Sequence, residues 1–390
     1  MTAFIAWGCM TFRYVGNGFS LAAIAFGILA IFLFARERYV PRIRLPEDLG
    51  KALGIFYGTL LAVGVLQQNG FRNFVGESYS AVDLLAITAP FWMILYVGWK
   101  WDIRKVVSFV VYANMYAFSL YGLWLYVSQG QHRFCSFYGS PPEVGMLLDL
   151  LIPFSVAIGA YYWDDRKWRF AAFLLIPLEL LALVLTETRG SYLAMTAALL
   201  LVTAVWIKRN CRRISMFLRV GICATAVAVS CLAVGYTFYI GSDNAIRMVG
   251  GERLLMWESS WHMAQDHPLL GIGLSEWSAA YNAPDSPYRL PEARETTNVQ
   301  THNIYLHFLA TGGVVSLLAV LAYLWFMIKW LLYLTKEQMR NPFAWAMLFM
   351  FIAFMAHGMV DGTLNSRHIG RIFYLLLGTG LLYTKRWEQE

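Results

Sequence analysis

The stretch from Thr301 to Gly313 reads THNIYLHFLATGG and opens a long apolar run in the second half of the chain. That run, residues 303–331, exceeds the roughly 20 residues that a helix needs to cross a bilayer. The polar stretch before it, residues 241–302, is longer than any other predicted connection. His302 therefore lies where a water-exposed loop joins a membrane helix. At that position an imidazole can exchange protons with water and still be held by packing.

The composition of the whole chain predicts a membrane protein. Of the 390 residues, 58% are hydrophobic and only 14% are charged, a balance that soluble domains do not show. Apolar runs long enough for helical spans cover residues 16–35, 52–69, 81–99, 106–127, 143–162, 170–186, 191–207, 217–240, 303–331, 342–360 and 369–384. We therefore predict an all-α, polytopic transmembrane helix bundle of eleven or twelve spans, with one large outer loop that contains short amphipathic helices.

The predicted organisation has three parts. Residues 1–240 hold the first eight spans and short loops, residues 241–302 form the large outer loop, and residues 303–390 hold the last three spans and a short cytoplasmic tail. A loop as long as the middle part is usually functional in a compact protein.

The distribution of lysine and arginine predicts the orientation in the membrane. The formal charge is +7, but the basic residues lie in short clusters between apolar runs, so we expect no nucleic-acid partner. Most of them fall on alternate connections, and the positive-inside rule places that side in the cytoplasm together with the C-terminus. Arg133, Arg189, Arg253 and Arg367 lie on the other side, against this bias. Their position calls for a functional explanation.

Three of the polar residues on the outer side have local explanations as well as functional ones. Arg189 begins a span, and an arginine at membrane depth usually faces a cavity or a charged partner. Its neighbour Glu187 would be a simple ion-pair partner. Arg253 has a simple explanation as a solvated helix residue paired with Glu252 or Glu258. His302 on its own is more simply explained as a helix cap or a hydrogen-bonded structural residue at a helix start.

Other polar and aromatic residues suggest further roles. His357 and Asp361 are one helical turn apart on the tenth predicted span, which places them on one face where they would line the same cavity. For the acids within spans, Asp83, Asp149 and Glu179, a hydrogen bond between helices is the simpler explanation. The tryptophans of the large loop suit an amphipathic segment at the level of the lipid headgroups, namely Trp257, Trp261 and Trp277.

Metal and cofactor sites are not indicated. The five cysteines form no CxxC pair, and the outer loops contain no cluster of carboxylates. We therefore predict neither a metal nor a cofactor.

Three blocks in the second half of the chain resemble the O-antigen ligase and Wzy polymerase superfamily of bacterial membrane glycosyltransferases. The first is TRGSYLA at 188–194, and the second is ERLLMWESSWHMAQDHPLLGIGLSEW at 252–277, with Arg-x-x-x-Trp followed by His-Pro-Leu-Leu-Gly-x-Gly. The third is His302 and Asn303, then nine residues and Gly313. A fourth block at 133–153 is similar to a Gly-x-x-x-Pro-Asn segment, with Pro142 where Asn is usual.

The resemblance implies a donor glycan on undecaprenyl pyrophosphate at the periplasmic face of the bacterial inner membrane. It further implies that Arg189 and Arg253 bind the pyrophosphate and that His302 is the general base. These residue types suit the chemistry, because guanidinium groups bind phosphate through paired hydrogen bonds and imidazole ordinarily titrates near pH 6.5. Accessory roles are expected for Asn303, Trp257, Arg133, His357, Asp361 and Arg367.

The preferred reaction is ligation of an O-antigen glycan onto a lipid A–core hydroxyl. It inverts the anomeric centre and needs no metal, and membrane lipids surround the protein. Two members of the same superfamily remain open, an O-antigen or capsule polymerase and a protein O-oligosaccharyltransferase. Against the latter, only residues 385–390 follow the last predicted span. A secondary transporter or a flippase for lipid-linked glycans is the alternative from another class. Against it, the sequence shows neither an internal repeat nor a pair of broken helices.

Overall fold

The computed structural model describes residues 45–75, 79–211, 215–240, 244–295, 297–364 and 366–384. The first predicted span, residues 16–35, lies outside these ranges. The described helices are α1 (Glu47–Leu66), α2 (Gly70–Val75), α3 (Ala81–Ala86), α4 (Ala89–Lys100), α5 (Arg104–Ser128), α6 (Pro141–Tyr161), α7 (Arg166–Thr186), α8 (Arg189–Asn210), α9 (Met216–Ile240), α10 (Asn244–Asp266), α11 (Trp277–Asn282), α12 (Ile304–Glu337), α13 (Pro342–His357) and α14 (Arg367–Tyr383).

The predicted polytopic helical bundle is confirmed. Within the described ranges, eight helical segments are long and apolar enough to cross a membrane, and α13 is a shorter apolar helix. No strand occurs in this part of the chain. The predicted span 81–99 is divided into α3 and α4, because Pro90 near the start of α4 has no N–H to continue the helix.

The core of the bundle is α6, most of which is buried, while α9 lies at the edge with most of its surface exposed. Around α6 pack α7, α8, α13 and α14, and α1 packs along α12. Buried polar pairs join these helices. The Ser155 hydroxyl of α6 donates to Glu179 Oε1 of α7 at 2.8 Å, which agrees with a structural role for Glu179.

The helix α12 is broken at Gly313, which has φ 67° and ψ −169°. The backbone groups that the break releases are bonded by the loop segment 268–273, here called the plug. Val314 N–H donates to Pro268 O at 2.8 Å, and Ile272 N–H donates to Ala310 O at 2.9 Å. Such groups would cost several kcal/mol each if left unbonded in lipid. This break was not predicted from the sequence.

The side chain of Gln67, at the end of α1, fastens the plug to the break. Its amide nitrogen donates to Thr311 O at 2.7 Å and to Leu270 O, and its Oε1 accepts from Leu274 N–H at 3.0 Å. One amide therefore bonds both to α12 and to the segment that fills its break.

The large loop has a small hydrophobic cluster of its own. Met256 and Met263 of α10, Trp277 and Tyr281 of α11 and Ala310 of α12 pack together. Trp277 is 1% exposed, its ring stacks on Tyr281 at 4.9 Å, and its indole N–H donates to Ser260. The prediction that Trp277 lies among the lipid headgroups is therefore wrong. The longest helix of the loop, α10, is also longer than the short helices that we expected.

We expect Gly313→Ala to destabilise the protein by about 2 kcal/mol or more. A Cβ at this position would lie 2.1 Å from Leu269 O, and the positive φ is strained for any residue with a Cβ. Thermal unfolding in detergent would measure the effect. Gly221→Ala in α9 is the control, since its Cβ meets nothing within 4 Å. Equal melting temperatures for the two variants would contradict the described break.

Candidate functional site

His302 lies at the junction between the large loop and α12. Asn303 is the N-cap of this helix, and its side chain accepts from Tyr305 N–H at 3.0 Å and Leu306 N–H at 3.1 Å. Its amide also donates to Met359 O at 2.9 Å. The capping role is thus filled by Asn303, so helix capping does not explain His302. The backbone of His302 is left-handed, with φ 54°.

The imidazole of His302 is bound to the carboxylate of Asp361. The distance from Nδ1 to Oδ1 is 2.9 Å, and Gly362 N–H donates to the same oxygen at 2.8 Å. Asp361 is 3% exposed, whereas a quarter of the His302 side chain is exposed. The structure therefore joins a partly accessible imidazole to a buried carboxylate.

Arg253 holds the other side of the Asp361 carboxylate. Its Nη2 donates to Oδ2 at 3.2 Å and its Nη1 donates to Val360 O at 2.8 Å. Burial opposes ionisation of Asp361, but the hydrogen bond and charge of His302 and the charge of Arg253 together hold its pKa well below the usual range. The suggested partners of Arg253, Glu252 and Glu258, are therefore not the ones that the structure shows.

The ionised carboxylate determines the tautomer of His302. A carboxylate can only accept hydrogen bonds, so Nδ1 carries the proton and donates it. In a neutral imidazole the other nitrogen, Nε2, then has a free lone pair. Asp361 thus orients the ring and prepares Nε2 to accept a proton.

Three arginines form a region of positive potential close to this pair. Arg189 is the first residue of α8, and its guanidinium lies within electrostatic range of those of Arg253 and Arg133. Arg133 is held by carbonyl groups at the end of α7, with Nε donating to Thr186 O at 2.8 Å. Arg133 therefore fixes the turn that precedes Arg189, and it adds a third cation.

His357 and Asp361 were predicted to share one helix face, and their side chains have different partners in the structure. The helix α13 ends at His357, and Asp361 lies in the turn that follows. His357 is 1% exposed, and its Nδ1 lies 2.6 Å from Asp149 Oδ2 and 3.4 Å from Ser191 Oγ. Asp361 N–H still donates to His357 O at 3.0 Å, so the two residues remain one helical turn apart. That they line one cavity stays a prediction.

Arg367 is engaged with a carboxylate on another helix. Its Nε donates to Asp83 Oδ2 at 2.8 Å, and Tyr79 N–H donates to the same oxygen at 3.0 Å. The charge of Arg367 is therefore balanced by Asp83, which weakens its expected contribution to the positive potential. Asp83 itself forms an ion pair between helices.

Tyr79 was not predicted from the sequence. Burial raises the pKa of its phenol to about 12, and three nearby carboxylates reinforce the rise, those of Asp83, Glu143 and Asp361. The Arg367 cation opposes it. The phenol therefore keeps its proton at neutral pH and can donate a hydrogen bond. A tyrosine in a short loop carries no sequence signal that would have identified it.

The role of Trp257 stays a prediction. It follows Arg253 by one helical turn and is half-buried, and its indole N–H is enclosed without a hydrogen-bond partner.

Regarding metals, no group of three or more His, Cys, Asp or Glu side chains that could hold an ion occurs in the described ranges.

The comparison with family models identifies one match. A family described as O-antigen ligase matches residues 170–321, from α7 into α12, and so includes Arg189, Arg253 and His302. This match confirms the resemblance to the O-antigen ligase and polymerase superfamily. Asp361 and Tyr79 lie outside the matched residues. No curated protein matches the chain.

We expect Asp361→Asn to lower the stability by about 3 kcal/mol at neutral pH, because it leaves Arg253 without its buried anion. The pKa of Asp361 is lowered in the folded state, so this stabilisation is complete above the ordinary carboxyl pKa near 4. It is lost as the pH falls through the lowered folded pKa. The melting temperatures of the wild type and of Asp361→Asn should differ by a constant amount between pH 5 and 8 and converge only in strong acid.

The control for this measurement is Asp48→Asn, which removes an exposed ion pair with Lys329 of 2.9 Å. Such pairs contribute at most about 1 kcal/mol. If both variants lost the same stability, the described surroundings of Asp361 would be wrong.

Proposed function

We propose that the chain is a membrane enzyme of the glycosyltransferase type that transfers a glycan from undecaprenyl pyrophosphate to a sugar hydroxyl of lipid A–core. The match of residues 170–321 to the O-antigen ligase family supports this class of enzyme. The observation that carries the proposal is the hydrogen bond between His302 and the buried Asp361 carboxylate, next to three arginines.

His302 is the general base in the proposed reaction. The acceptor hydroxyl gives its proton to Nε2, and its oxygen forms a bond with the anomeric carbon of the donor. The bond from that carbon to the pyrophosphate oxygen breaks, and the electron pair leaves with the pyrophosphate. A direct displacement of this kind inverts the anomeric centre. Asp361 stabilises the imidazolium that forms, as a buried carboxylate does for other catalytic histidines.

Arg189 and Arg253 bind the pyrophosphate and offset the charge that develops on it. Arginine suits this task because its guanidinium is permanently charged and can donate two parallel hydrogen bonds. This role of Arg189 and Arg253 is supported by their proximity to each other and to Arg133. Arg253 also bonds to Asp361, so donor binding and the orientation of the base share one side chain.

The location in the cell follows from the donor and from the distribution of basic residues. We place the site at the periplasmic face of the inner membrane and the C-terminus in the cytoplasm. The polymerase and the protein O-oligosaccharyltransferase would use the same base and arginines. The identity of the acceptor is what separates these three reactions.

A transporter would explain the broken helix α12, because broken helices often coordinate transported ions. Here the break is filled by the chain itself. Ala310 O accepts from Ile272 N–H, Thr311 O accepts from Gly273 N–H, and Val314 N–H donates to Pro268 O. Since the released groups are bonded to the plug, the break favours a structural role over an ion site.

Reconstitution would test the proposed reaction. Purified protein in vesicles, with undecaprenyl-pyrophosphate-linked glycan and lipid A–core, should form the glycosylated product without any ion gradient. His302→Asn should reduce this transfer by roughly 10²-fold or more, since an amide cannot accept a proton at neutral pH. Asparagine tolerates the left-handed backbone of this position better than alanine does.

The matched control is His262→Asn, a half-buried histidine of α10 in the same loop. Near-normal transfer by folded His302→Asn would exclude His302 as the base. Uptake of glycan into the vesicles without transfer would instead support the transporter.

We expect Arg189→Lys to weaken donor binding by at least about tenfold, because lysine keeps the charge but loses the paired hydrogen bonds. Arg253→Lys should reduce both donor binding and turnover, since this side chain also holds Asp361. Binding of the lipid-linked donor and initial rates would measure the two effects. Arg289→Lys in the same loop is the control, because the Nη2 of Arg289 donates to the backbone carbonyl of Pro284 at 3.2 Å. Unchanged donor affinity in both variants would remove these arginines from the pyrophosphate site.

A further inference from the structure

A polar cluster lies beside the His302–Asp361 pair and has no part in the mechanism above. It consists of Tyr79, Asp83, Glu143 and Arg367, and we call it the Tyr79 cluster. These residues come from the loop before α3, from α3, from the start of α6 and from the start of α14. All four lie outside the residues that match the O-antigen ligase family.

Short contacts hold the cluster together. Asp83 Oδ2 accepts from Arg367 Nε at 2.8 Å and from Tyr79 N–H at 3.0 Å. The Tyr79 ring packs against the His307 ring of α12, edge to face, with centroids 5.6 Å apart. The cluster is open in part, since the Arg367 side chain is 38% exposed and that of Asp83 is 16% exposed.

Contacts place the Tyr79 cluster close to the His302–Asp361 pair. The Tyr79 ring packs against the His307 ring, and His307 Nδ1 lies 3.4 Å from Oγ1 of Thr301, the residue before His302. The Tyr79 phenol also lies within electrostatic range of Asp361. Asp361 is bonded to Arg253, which lies near Arg189. The Tyr79 cluster and the proposed donor-binding arginines therefore both lie near the pair.

A displacement at carbon requires separate positions for the donor and the acceptor, because the attacking oxygen and the leaving oxygen occupy opposite sides of the anomeric carbon. If Arg189 and Arg253 hold the pyrophosphate, the acceptor needs other polar side chains near His302. The Tyr79 cluster provides such side chains and contains neither of these arginines.

We propose that the Tyr79 cluster binds the acceptor through the hydroxyl groups of an uncharged sugar ring. This inference rests on the proposed function. Sugar hydroxyl groups both donate and accept hydrogen bonds. In the cluster the carboxylates accept hydrogen bonds, the guanidinium donates them and the phenol does both. Because Asp83 already balances the charge of Arg367, the cluster suits hydroxyl groups better than a second phosphate.

The test separates acceptor binding from donor binding in the full-length protein. In Tyr79→Phe, which removes one hydroxyl, the KM for lipid A–core should rise by about 3- to 10-fold. In Asp83→Asn, which also releases Arg367, it should rise by about 10-fold or more. The dissociation constant of the lipid-linked donor should not change. Asp48→Asn is the matched control, because that aspartate is similarly exposed and paired with Lys329 at 2.9 Å.

Direct binding of delipidated core oligosaccharide to the same proteins makes the test independent of turnover. The wild type and Asp48→Asn should bind it, and Tyr79→Phe and Asp83→Asn should bind it more weakly by the same factors. Equal binding by all four proteins, or a loss of donor affinity in the two cluster variants, would overturn the proposal. If the oligosaccharide binds as expected but no transfer occurs in the wild type, the acceptor site stands and the proposed reaction fails.

Discussion

The structure depends on satisfying the backbone of α12 where it breaks at Gly313. A helix that opens inside an apolar bundle must find new partners for its N–H and C=O groups. The plug, residues 268–273, supplies them, and Gln67 joins the plug to α1. The same contacts fix the large loop over the start of α12. The position of His302 is therefore a consequence of how the break is filled.

The second organising feature is a carboxylate shared by an imidazole and a guanidinium. Asp361 bonds to His302 through one oxygen and to Arg253 through the other, and it is almost fully buried. A buried anion is stable only with such partners, and removal of either leaves charge uncompensated. The group that orients the imidazole is thus linked to one of the proposed donor-binding arginines. Any movement of Arg253 toward a bound anion would be transmitted to His302 through Asp361.

Much of the fold could be predicted from the sequence because a bilayer restricts the choice of structure. Apolar runs of sufficient length must be helices, so the described spans were located to within a few residues. Arg189, Arg253 and His302 were selected because they belong to local motifs, and the structure brings Arg253 and His302 to one carboxylate, while their roles stay predictions. Pairings between distant residues could not be predicted, because hydropathy carries no information about contacts. His302 and Asp361 are 59 residues apart, and Asp83 and Arg367 are 284 apart. The break at Gly313 was missed for a similar reason, since glycine is common in membrane helices that stay continuous.

The plug also has a consequence for biogenesis. Residues 268–273 precede α12 in the chain, and α1, which carries Gln67, precedes both. Each part that completes the break is therefore synthesised before the helix that needs it. The ribosome releases α12 into a membrane where its partners are already present, so the opened turn need not remain exposed to lipid while later helices are made. The order of these elements in the chain therefore allows the break in α12 to be bonded before α13 and α14 are synthesised.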